Sequence, residues 1–440
     1  MNKRALVFFP HNPWPPRSGA HQRCLEVMEG LTGLGYEVTL ASSTLSSEIP
    51  WVAESAAGLK ESGVSEVHVY ETTPADQEFL GVLHRLRSTK DKSFHPRKTL
   101  YYFRQLLTHK PPIMATLRGA MKNPPIDAIQ NTPPAMRRWF AELVDQIGPD
   151  VIIMNYAYWD GLVDHRKLRS ILRIIDTLDL VSLNRQMQAA IAGYLPEPLT
   201  AETTPDEVLQ EDFFEGLKLD SGRYEFSIFD KYDRTIAITA KEVGVIGRYA
   251  HHTKISWLPV TLEPVYISNS YSGSALFTVG PNLFNTQGYL YFVKKVLPRV
   301  LGTAPSFRLN VTGSFPFSTP AAGDRVTLSG FVPDLKPVYA SSRFFVCPVF
   351  GGTGQQIKIV EAMAHGLPVV ALRFAAERSP LRHELNGLVA DTAEEFAAHT
   401  VRLWNDPALC GRLGEAARET VADQFSGGRL TDSLAKILQR

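Results

Sequence analysis

The chain has 440 residues and a formal net charge of +1, and 44% of its residues are hydrophobic against 21% charged. These proportions exclude a disordered chain, and the balanced charge gives no general attraction to nucleic acid. A chain of this length is too long for one ordinary core and predicts two domains of about 200 residues each.

The first part of the chain alternates short apolar runs with helical patterns. The apolar run at residues 5–9 predicts a buried strand, and residues 21–34 predict a helix because their apolar side chains recur on one face. Further strands are predicted at residues 37–41, 64–70, 151–154, 173–175 and 235–238.

The same rhythm starts again after a stretch rich in serine, tyrosine, asparagine and glycine. Strands are predicted at residues 275–280, 308–313, 326–331, 344–349, 368–372 and 387–390. Alternating strands and helices are typical of parallel sheets covered on both faces, so two series predict two doubly wound α/β domains. We expect the first domain at residues 1–262 and the second at residues 263–440, with a terminal helix at residues 428–438 that packs on either domain.

A basic segment interrupts the first series. Residues 83–122 are rich in arginine and lysine, carry several aromatic residues and contain hardly any acid. One interpretation is a solvated helical insertion near residues 83–135. The other is a basic and aromatic face that contacts an anionic membrane or a phosphate-bearing acceptor.

Three features predict a cytoplasmic protein, with peripheral contact at the inner membrane face if the basic segment binds lipid. Cys24, Cys347 and Cys410 are too far apart for a disulfide framework or a zinc site, which is typical of a reducing compartment. No segment approaches the ~20 apolar residues that cross a bilayer. The N-terminal apolar run is too short for a signal peptide.

A glycine-rich turn at residues 351–354 joins a buried strand to a helix that begins near Gln356. Glycines let a ligand come close to the backbone, and the helix start favours an anion by typically ~0.3–1 kcal/mol. Lys358 adds a full charge one turn into the helix, and the carboxylate of Glu361 can accept two ribose hydroxyls. The pattern predicts a site for a nucleoside diphosphate.

Other interpretations of this turn are weaker. Gly352 and Gly354 mimic the start of a dinucleotide fingerprint, but the third glycine is missing. The sequence also lacks the Gly-x-x-x-x-Gly-Lys-Ser/Thr phosphate loop. A plain tight turn before a packing helix stays open, and Glu361 would then face solvent.

Four segments resemble a known family in order and spacing. Residues 361–370, Glu-Ala-Met-Ala-His-Gly-Leu-Pro-Val-Val, resemble the E-A-M-A-x-G-x-P-V-V signature of group 1 glycosyltransferases, the retaining GT-B enzymes. Residues 385–389 resemble the N-G-L-L-V segment of that family, and residues 330–339 resemble its G-x-V-x-D-L-x-x-x-Y stretch. Residues 16–19 correspond to its glycine-rich first loop. The likeness is strong over residues 275–403.

This resemblance implies two Rossmann-like domains that face each other across a cleft, with the nucleotide held mainly by the second. It implies transfer of a sugar, with retention, from a nucleotide diphosphate sugar to a glycan, lipid-linked or protein acceptor. A UDP-sugar or GDP-sugar is the expected donor. The family requires no metal or other cofactor, since preorganised protein donors and cations stabilise the departing diphosphate.

The resemblance and the predicted strand ends give three groups of candidate residues. The donor-binding candidates are Ser18, Gly19, Gly280, Asn282, Gly313, Gly352, Thr353, Gly354, Gln355, Gln356, Ile357, Lys358 and Glu361. The catalytic candidates are Asp176, Asp179 and Lys358, and the acceptor-side candidates are Asn155, Tyr156 and Tyr158. For the two aspartates, a strand-end turn with satisfied carboxylates is an equally good interpretation.

The sequence departs from the family pattern at four positions. Thr353 stands where the family commonly has a second glutamate that touches the donor sugar. Pro281 and Gln287 stand where an arginine and a lysine often clamp the diphosphate. Leu178 replaces a histidine that faces the donor sugar.

These departures leave two alternatives open. One is a subunit that binds a sugar nucleotide or a partner protein but has lost activity. The other is a sugar-nucleotide epimerase, which needs acid and base side chains around the donor that this sequence supplies poorly. If the protein is a transferase, Lys358 and Arg17 are the cations expected to compensate for the missing clamp.

Overall fold

The computed structural model describes residues 3–45, 47, 49–88, 132–195, 200, 202–217, 223–315 and 322–439. Most of the predicted basic segment and insertion, residues 89–131, lies outside these residues. The described residues form two parallel sheets, of seven and six strands. The two doubly wound α/β units predicted from the sequence are therefore confirmed.

The first sheet has the spatial order β3-β2-β1-β4-β5-β6-β7. Its strands are β1 Lys3–Phe8, β2 Tyr36–Ser43, β3 Glu66–Tyr70, β4 Val151–Asn155, β5 Leu172–Asp176, β6 Arg234–Ala237 and β7 Lys254–Trp257. The sequence analysis did not predict β7. This strand lies at the sheet edge with both ends exposed, so it lacks the continuous apolar run of the buried strands.

The second sheet has the spatial order β10-β9-β8-β11-β12-β13. Its strands are β8 Ala275–Val279, β9 Leu309–Gly313, β10 Val326–Gly330, β11 Phe345–Cys347, β12 Val369–Leu372 and β13 Gly387–Ala390. The strand order reverses between β1 and β4 in the first sheet and between β8 and β11 in the second. In such sheets, ligands bind in the crevice outside the carboxyl ends of the strands at the reversal point.

Helices cover both sheets. Those of the first series are α1 Gly19–Gly33, α2 Ala53–Glu61, α3 Pro74–Ser88, α4 Pro134–Ile147, α5 Val181–Ala192, α6 Arg223–Phe229 and α7 Ala240–Ile246. Those of the second series are α8 Leu283–Tyr291, α9 Leu297–Thr303, α10 Lys336–Ser341, α11 Ile357–Ala364, α12 Arg373–Ala376, α13 Ala393–Asn405, α14 Pro407–Gln424 and α15 Gly427–Ile437. A π-helical turn, Phe292–Val296, joins α8 to α9.

The terminal helix α15 returns to the first sheet. Leu430, Leu434 and Ile437 are buried in the same apolar cluster as Leu31 of α1. A Cβ atom on Gly30 would lie 2.8 Å from Leu430 Cδ2, so a glycine in α1 lets the two helices come close. The terminal helix thus contributes three buried side chains to the core of the first sheet.

Another segment, from the first part of the chain, packs on the second sheet. In the connection between α5 and α6, Val208 and Phe214 are buried in the core of the second sheet. The side chain of Gln287 in α8 donates to the Val208 carbonyl at 2.7 Å, and the Tyr291 hydroxyl donates to Glu211 at 2.6 Å. The first sheet ends with Trp257 and the second begins with Ala275, but each sheet is covered partly by a segment from the other part of the chain.

We expect Leu434→Ala to lower the free energy of unfolding by about 2–5 kcal/mol, because it leaves a cavity between α15 and α1. Urea denaturation followed by circular dichroism measures this change. Asp432→Ala is the control, since Asp432 is exposed on the same helix. A loss below about 0.5 kcal/mol for Leu434→Ala, as for a surface site, would show that α15 does not stabilise the first sheet.

Candidate functional site

Glycines stand at the carboxyl ends of β8 and β9 in the second sheet. Gly313 has a φ of 110°, and a Cβ atom there would lie 2.0 Å from the Val279 carbonyl oxygen. Only glycine allows this approach of the two strand ends. Gly280 follows β8, and a Cβ atom on it would lie 3.9 Å from Lys358 Nζ. Both predicted donor-binding glycines therefore lie at the crevice of the second sheet.

Lys358 reaches this crevice from the first turn of α11. Its Nζ donates to Asn285 Oδ1 at 2.8 Å, and Asn285 Nδ2 donates to the Gly280 carbonyl at 3.0 Å. Asn282 caps α8 by accepting from the Asn285 amide at 3.0 Å. Burial lowers the pKa of Lys358 to about 8. Asn285 thus joins three predicted residues, Lys358, Gly280 and Asn282. The sequence analysis did not single out Asn285. Only its position three residues after the capping Asn282 could have indicated it.

Glu361 lies one turn further along α11 and is half-buried rather than facing solvent. The Tyr339 hydroxyl donates to Glu361 Oε2 at 3.0 Å, and burial raises the pKa of the Glu361 carboxyl. The buried Tyr339 ring stacks on His365 with centroids 4.4 Å apart. The sequence motif contained Tyr339, but no role for it was predicted. The structure shows that it fixes the orientation of the carboxylate.

The glycine-rich turn before α11 has structural reasons for two of its glycines. Gly352 has a φ of 105°, and a Cβ atom on Gly351 would lie 2.4 Å from Phe284 Cδ1 and 2.7 Å from Phe214 Cε2. Thr353 is buried, and among the described residues its hydroxyl has no hydrogen-bond partner. An unpaired buried hydroxyl is costly, so the turn offers one polar atom to a ligand.

Other polar groups of the turn are already used by the protein. The side-chain amide of Gln355 accepts from the backbone N–H of Val260 at 2.8 Å through Oε1, and it donates to the Val260 carbonyl at 3.2 Å through Nε2. The Gln356 amide N–H donates to the Arg378 carbonyl at 3.0 Å, and that of Ile357 donates to the Gln355 carbonyl at 2.9 Å. Gln355, Gln356 and Ile357 could contact a nucleotide sugar through these groups only if the hydrogen bonds within the protein opened. The predicted contacts of these groups therefore do not match this arrangement.

The start of α1 meets the start of α11 across the interdomain cleft. A Cβ atom on Gly19 would lie 1.9 Å from Ile357 Cδ1, so the glycine allows the contact. Ser18 caps α1 by accepting from the His21 amide at 3.3 Å, and its hydroxyl proton is left for another acceptor. Two positive helix ends therefore lie side by side.

Two of the predicted catalytic and acceptor residues are bonded within the first sheet and to the helix that covers it. Asp176 Oδ2 accepts from Arg23 Nε at 2.9 Å, and both side chains are buried. Arg23 also donates to the Pro259 carbonyl at 2.7 Å. Asn155 is buried and donates to the Phe8 carbonyl at 2.8 Å. For Asp176 this geometry favours the satisfied strand-end carboxylate over a catalytic group, and Asn155 lines no open surface.

Asp179 lies against the glycine-rich turn instead. A Cβ atom on Gly354 would lie 3.8 Å from Asp179 Oδ1, and Asn184 donates to Asp179 Oδ2 at 2.6 Å. Burial, with Glu225 nearby, raises the pKa of Asp179 to about 7. Leu178 before it has a φ of 54° and is buried, so no side chain of the histidine type faces the cleft there.

An aromatic surface lies at the carboxyl ends of β1 and β4. The rings of Tyr156 and Tyr158 stack with centroids 5.2 Å apart, and the Arg185 guanidinium lies 5.7 Å from the Tyr158 ring. Phe9 and His21 pack edge to face at 5.9 Å beside them. The sequence analysis predicted the two tyrosines. It did not single out His21.

The position of Gln287 differs from that expected of a diphosphate clamp. Its side chain is buried and bound to Val208, so it points away from the crevice. Among the residues that the structure describes, no group of three histidine, cysteine or carboxylate side chains is placed to hold a metal ion. Over the same residues, no helix combines the length and apolar character that would carry it through a bilayer.

Comparison with known sequences identifies a family and a relative that match part of the chain. Residues 273–406 match the family described as Glycosyl transferases group 1. The lipopolysaccharide core biosynthesis glycosyltransferase LpsE of Rhizobium meliloti is 33% identical over 116 residues. That alignment covers 26% of this chain and 34% of the relative, so the likeness spans only about a third of LpsE.

Comparison with solved structures covers the whole chain. Sucrose-phosphate synthase from Thermosynechococcus elongatus has a TM-score of 0.60 at 14% identity, with 99% of this chain and 98% of the other covered. HepE of Anabaena, in complex with UDP and glucose, has a TM-score of 0.59 at 11% identity, with 99% of each chain covered. At such identities the likeness shows the fold, which is the GT-B arrangement of two Rossmann-like units.

We expect Asp176→Asn to destabilise the protein by about 3–5 kcal/mol, because it leaves the Arg23 charge buried without a counter-charge. Urea denaturation measures the loss, and Asp145→Asn at an exposed position is the control. The double variant Arg23→Met/Asp176→Leu should recover much of the stability. An Asp176→Asn protein of normal stability would instead return Asp176 to the catalytic candidates.

Proposed function

We propose, on the premise that residues 273–406 are a group 1 glycosyltransferase domain in a chain with the GT-B fold, that the protein transfers a sugar from a nucleotide diphosphate sugar to an acceptor. Residues 263–440 would hold the nucleotide and residues 1–262 the acceptor. HepE is bound to UDP and glucose, which makes a UDP-sugar the first donor to test, with a GDP-sugar as the second.

One observation carries the proposal: two helix starts and a lysine converge on one place in the cleft. The N-termini of α1 and α11 meet at Gly19 and Ile357, and the Lys358 ammonium lies within the adjoining crevice at Gly280. A diphosphate there would be favoured by both helix dipoles and by a full positive charge. This arrangement replaces the arginine and lysine clamp that the sequence lacks.

Glu361 is the proposed ribose acceptor. Its carboxylate is held at one oxygen by the Tyr339 hydroxyl, which leaves lone pairs on both oxygens for sugar hydroxyls. Thr353 is proposed to contact the donor sugar through its unpaired hydroxyl. These contacts position the donor, because no protein nucleophile is needed.

Transfer with retention is part of the proposal. The bond from the anomeric carbon to the diphosphate oxygen breaks while the acceptor oxygen bonds the same face, and the acceptor proton passes to the departing diphosphate. Lys358 and the helix starts stabilise the developing negative charge on the leaving group. Asp179, whose pKa is raised to about 7 by burial, is proposed to position the turn at Gly354 rather than to attack the sugar.

The acceptor is proposed to be a glycan, a lipid-linked sugar or a protein, placed against Tyr156 and Tyr158. The name of LpsE, a lipopolysaccharide core enzyme, favours a lipid-linked glycan among these. A cytoplasmic location, and membrane contact through the basic segment, accompany the proposal as further expectations. An inactive binding subunit is the second candidate function, favoured by Thr353 and Gln287 at two positions where the family carries charge.

We expect Glu361→Ala to weaken UDP binding by at least about tenfold, since it removes the ribose acceptor. Tyr339→Phe should cost less, about fivefold, because it only releases the orientation of the Glu361 carboxylate, and it should add nothing in the Glu361→Ala background. Isothermal titration with UDP measures both, and the exposed Glu419→Ala serves as the control. Unchanged affinity in Glu361→Ala and Lys358→Ala would remove the site assignment.

Turnover is measured on the same proteins with UDP-, GDP-, dTDP-, CDP- and ADP-sugars. We expect one donor to raise the melting temperature most, because binding stabilises the folded state by mass action. We expect the same donor to be hydrolysed or transferred. Binding without turnover of any donor would favour the inactive subunit.

The affinity for UDP should fall as the pH rises from 7 to 9. Because the pKa of Lys358 is lowered to about 8, the ammonium loses its proton over this range and with it the attraction to the diphosphate. The neighbouring Cys347 thiol has its pKa raised to about 11 and stays neutral. Isothermal titration at several pH values measures the slope. Lys358→Gln should bind more weakly at pH 7 and show a flat profile, and an equal slope in that variant would contradict the role of Lys358.

A further inference from the structure

A groove beside the proposed donor site lies where four segments meet. Its walls are residues 238–240 at the start of α7, residues 257–261 from the end of β7 onward, residues 377–382 after α12 and residues 423–433 from the end of α14 into α15. Two adjoining cavities of about 160 and 440 Å³ form it, and both are lined by Trp257, Arg382 and Gln424. The larger cavity has room for a sugar unit and its neighbours.

Trp257 presents a fixed aromatic surface to this groove. The indole is 45% exposed, its Nε1 donates to the Ile238 carbonyl at 3.3 Å, and Phe425 packs against it edge to face at 6.2 Å. The hydrogen bond and the phenylalanine hold the ring in place while part of its surface stays open. A large, rigid and half-exposed aromatic ring is typical of a recognition surface.

Polar side chains surround the indole. Arg382 is exposed, and among the described residues no hydrogen bond or ion pair engages its guanidinium. Gln424 is also exposed, and Arg429 uses only Nε, which donates to the Asp423 carbonyl at 2.9 Å. These planar groups offer several donors and an amide acceptor around one aromatic face.

The groove carries charges of both signs, with Arg378, Arg382 and Arg429 beside two carboxylates, so it is not a purely basic surface for a polyanion. Asp423 borders the same cavity as Arg429, and Glu377 borders the smaller one, where it pairs with Lys241 at 2.6 Å. The lining therefore mixes both signs. Leu258 and Pro259 add an apolar wall. A ligand with an apolar face and a ring of hydroxyls fits this combination better than a phosphate or a nucleic acid.

We propose that this groove is a glycan-binding site. The C–H face of one pyranose ring stacks on Trp257, and its hydroxyls bond Arg382 and Gln424. Gln355 is the one donor candidate that lines the smaller cavity, and its side chain is bonded to Val260, whereas the larger cavity is lined by no donor or acceptor candidate. The larger cavity therefore holds a part of a glycan remote from the reacting sugar. The choice of a glycan as the ligand rests on the proposed glycosyltransferase function. The existence of the groove and the identity of its lining residues do not depend on that function.

The test is isothermal titration of the full chain with three uncharged glycans, maltohexaose, tetra-N-acetylchitotetraose and xylohexaose. We expect at least one of the three to bind. Trp257→Ala should weaken that binding by about tenfold or more, because tryptophan at the centre of a recognition surface carries much of the affinity. Arg382→Gln should weaken it several-fold and leaves the fold intact, since its guanidinium has no partner to lose.

Tyr249→Ala is the matched control. Tyr249 is 39% exposed, and its ring stacks on Phe226 with centroids 4.8 Å apart. It does not line the groove. The variant should bind the glycan as the unchanged protein does. Absence of binding for all three glycans, or binding that survives both Trp257→Ala and Arg382→Gln, would overturn the proposal. UDP titration of the same variants should show unchanged affinity, and failure of the unchanged protein to bind UDP would count against the proposed function alone.

Discussion

The buried ion pair between Arg23 and Asp176 is the contact on which the cleft depends. A buried arginine is expensive unless it is paired and hydrogen-bonded, and here it binds both the carboxylate at the end of β5 and the carbonyl of Pro259. One side chain therefore ties α1, the first sheet and the connection between the sheets. Gly19 lies one turn before Arg23, so the pair also sets where the start of α1 stands relative to α11.

Two small hydrogen-bond networks on α11 hold the two side chains that are proposed to bind the nucleotide. The Lys358 ammonium is held by Asn285 next to Gly280, and the Glu361 carboxylate is held by Tyr339. Both groups are partly desolvated, which strengthens their interaction with a charged ligand and makes it dependent on pH. A cation and an anion on successive turns of one helix thus present opposite charges to a nucleotide, one for its diphosphate and one for its ribose.

Much of the fold could be predicted from the sequence, because buried parallel strands carry continuous apolar runs and glycine turns mark their ends. The edge strand β7 gave no such signal. At the site, local spacing identified Lys358 and Glu361 on one helix, but partners distant in sequence were invisible. Gln355 looked like a ligand group although it binds Val260, and Asn155 looked like an acceptor group although it binds a neighbouring strand, since strand ends serve both ligands and the sheet itself. Asn285 and Tyr339 were missed because their role exists only through the side chains they hold.

The exchange of segments between the sheets has a consequence for synthesis of the chain on the ribosome. The strands of the first sheet are complete once residue 257 has been made, yet α15 at residues 427–437 follows all the strands of the second sheet. Until then, the face of α1 that carries Leu31 lacks its apolar cover. The apolar side chains of the connection around Val208 likewise become buried only after α8 of the second sheet has been made. The nascent protein therefore exposes the α1 face until α15 has been made and the connection around Val208 until α8 has been made, and apolar surfaces of this kind promote aggregation.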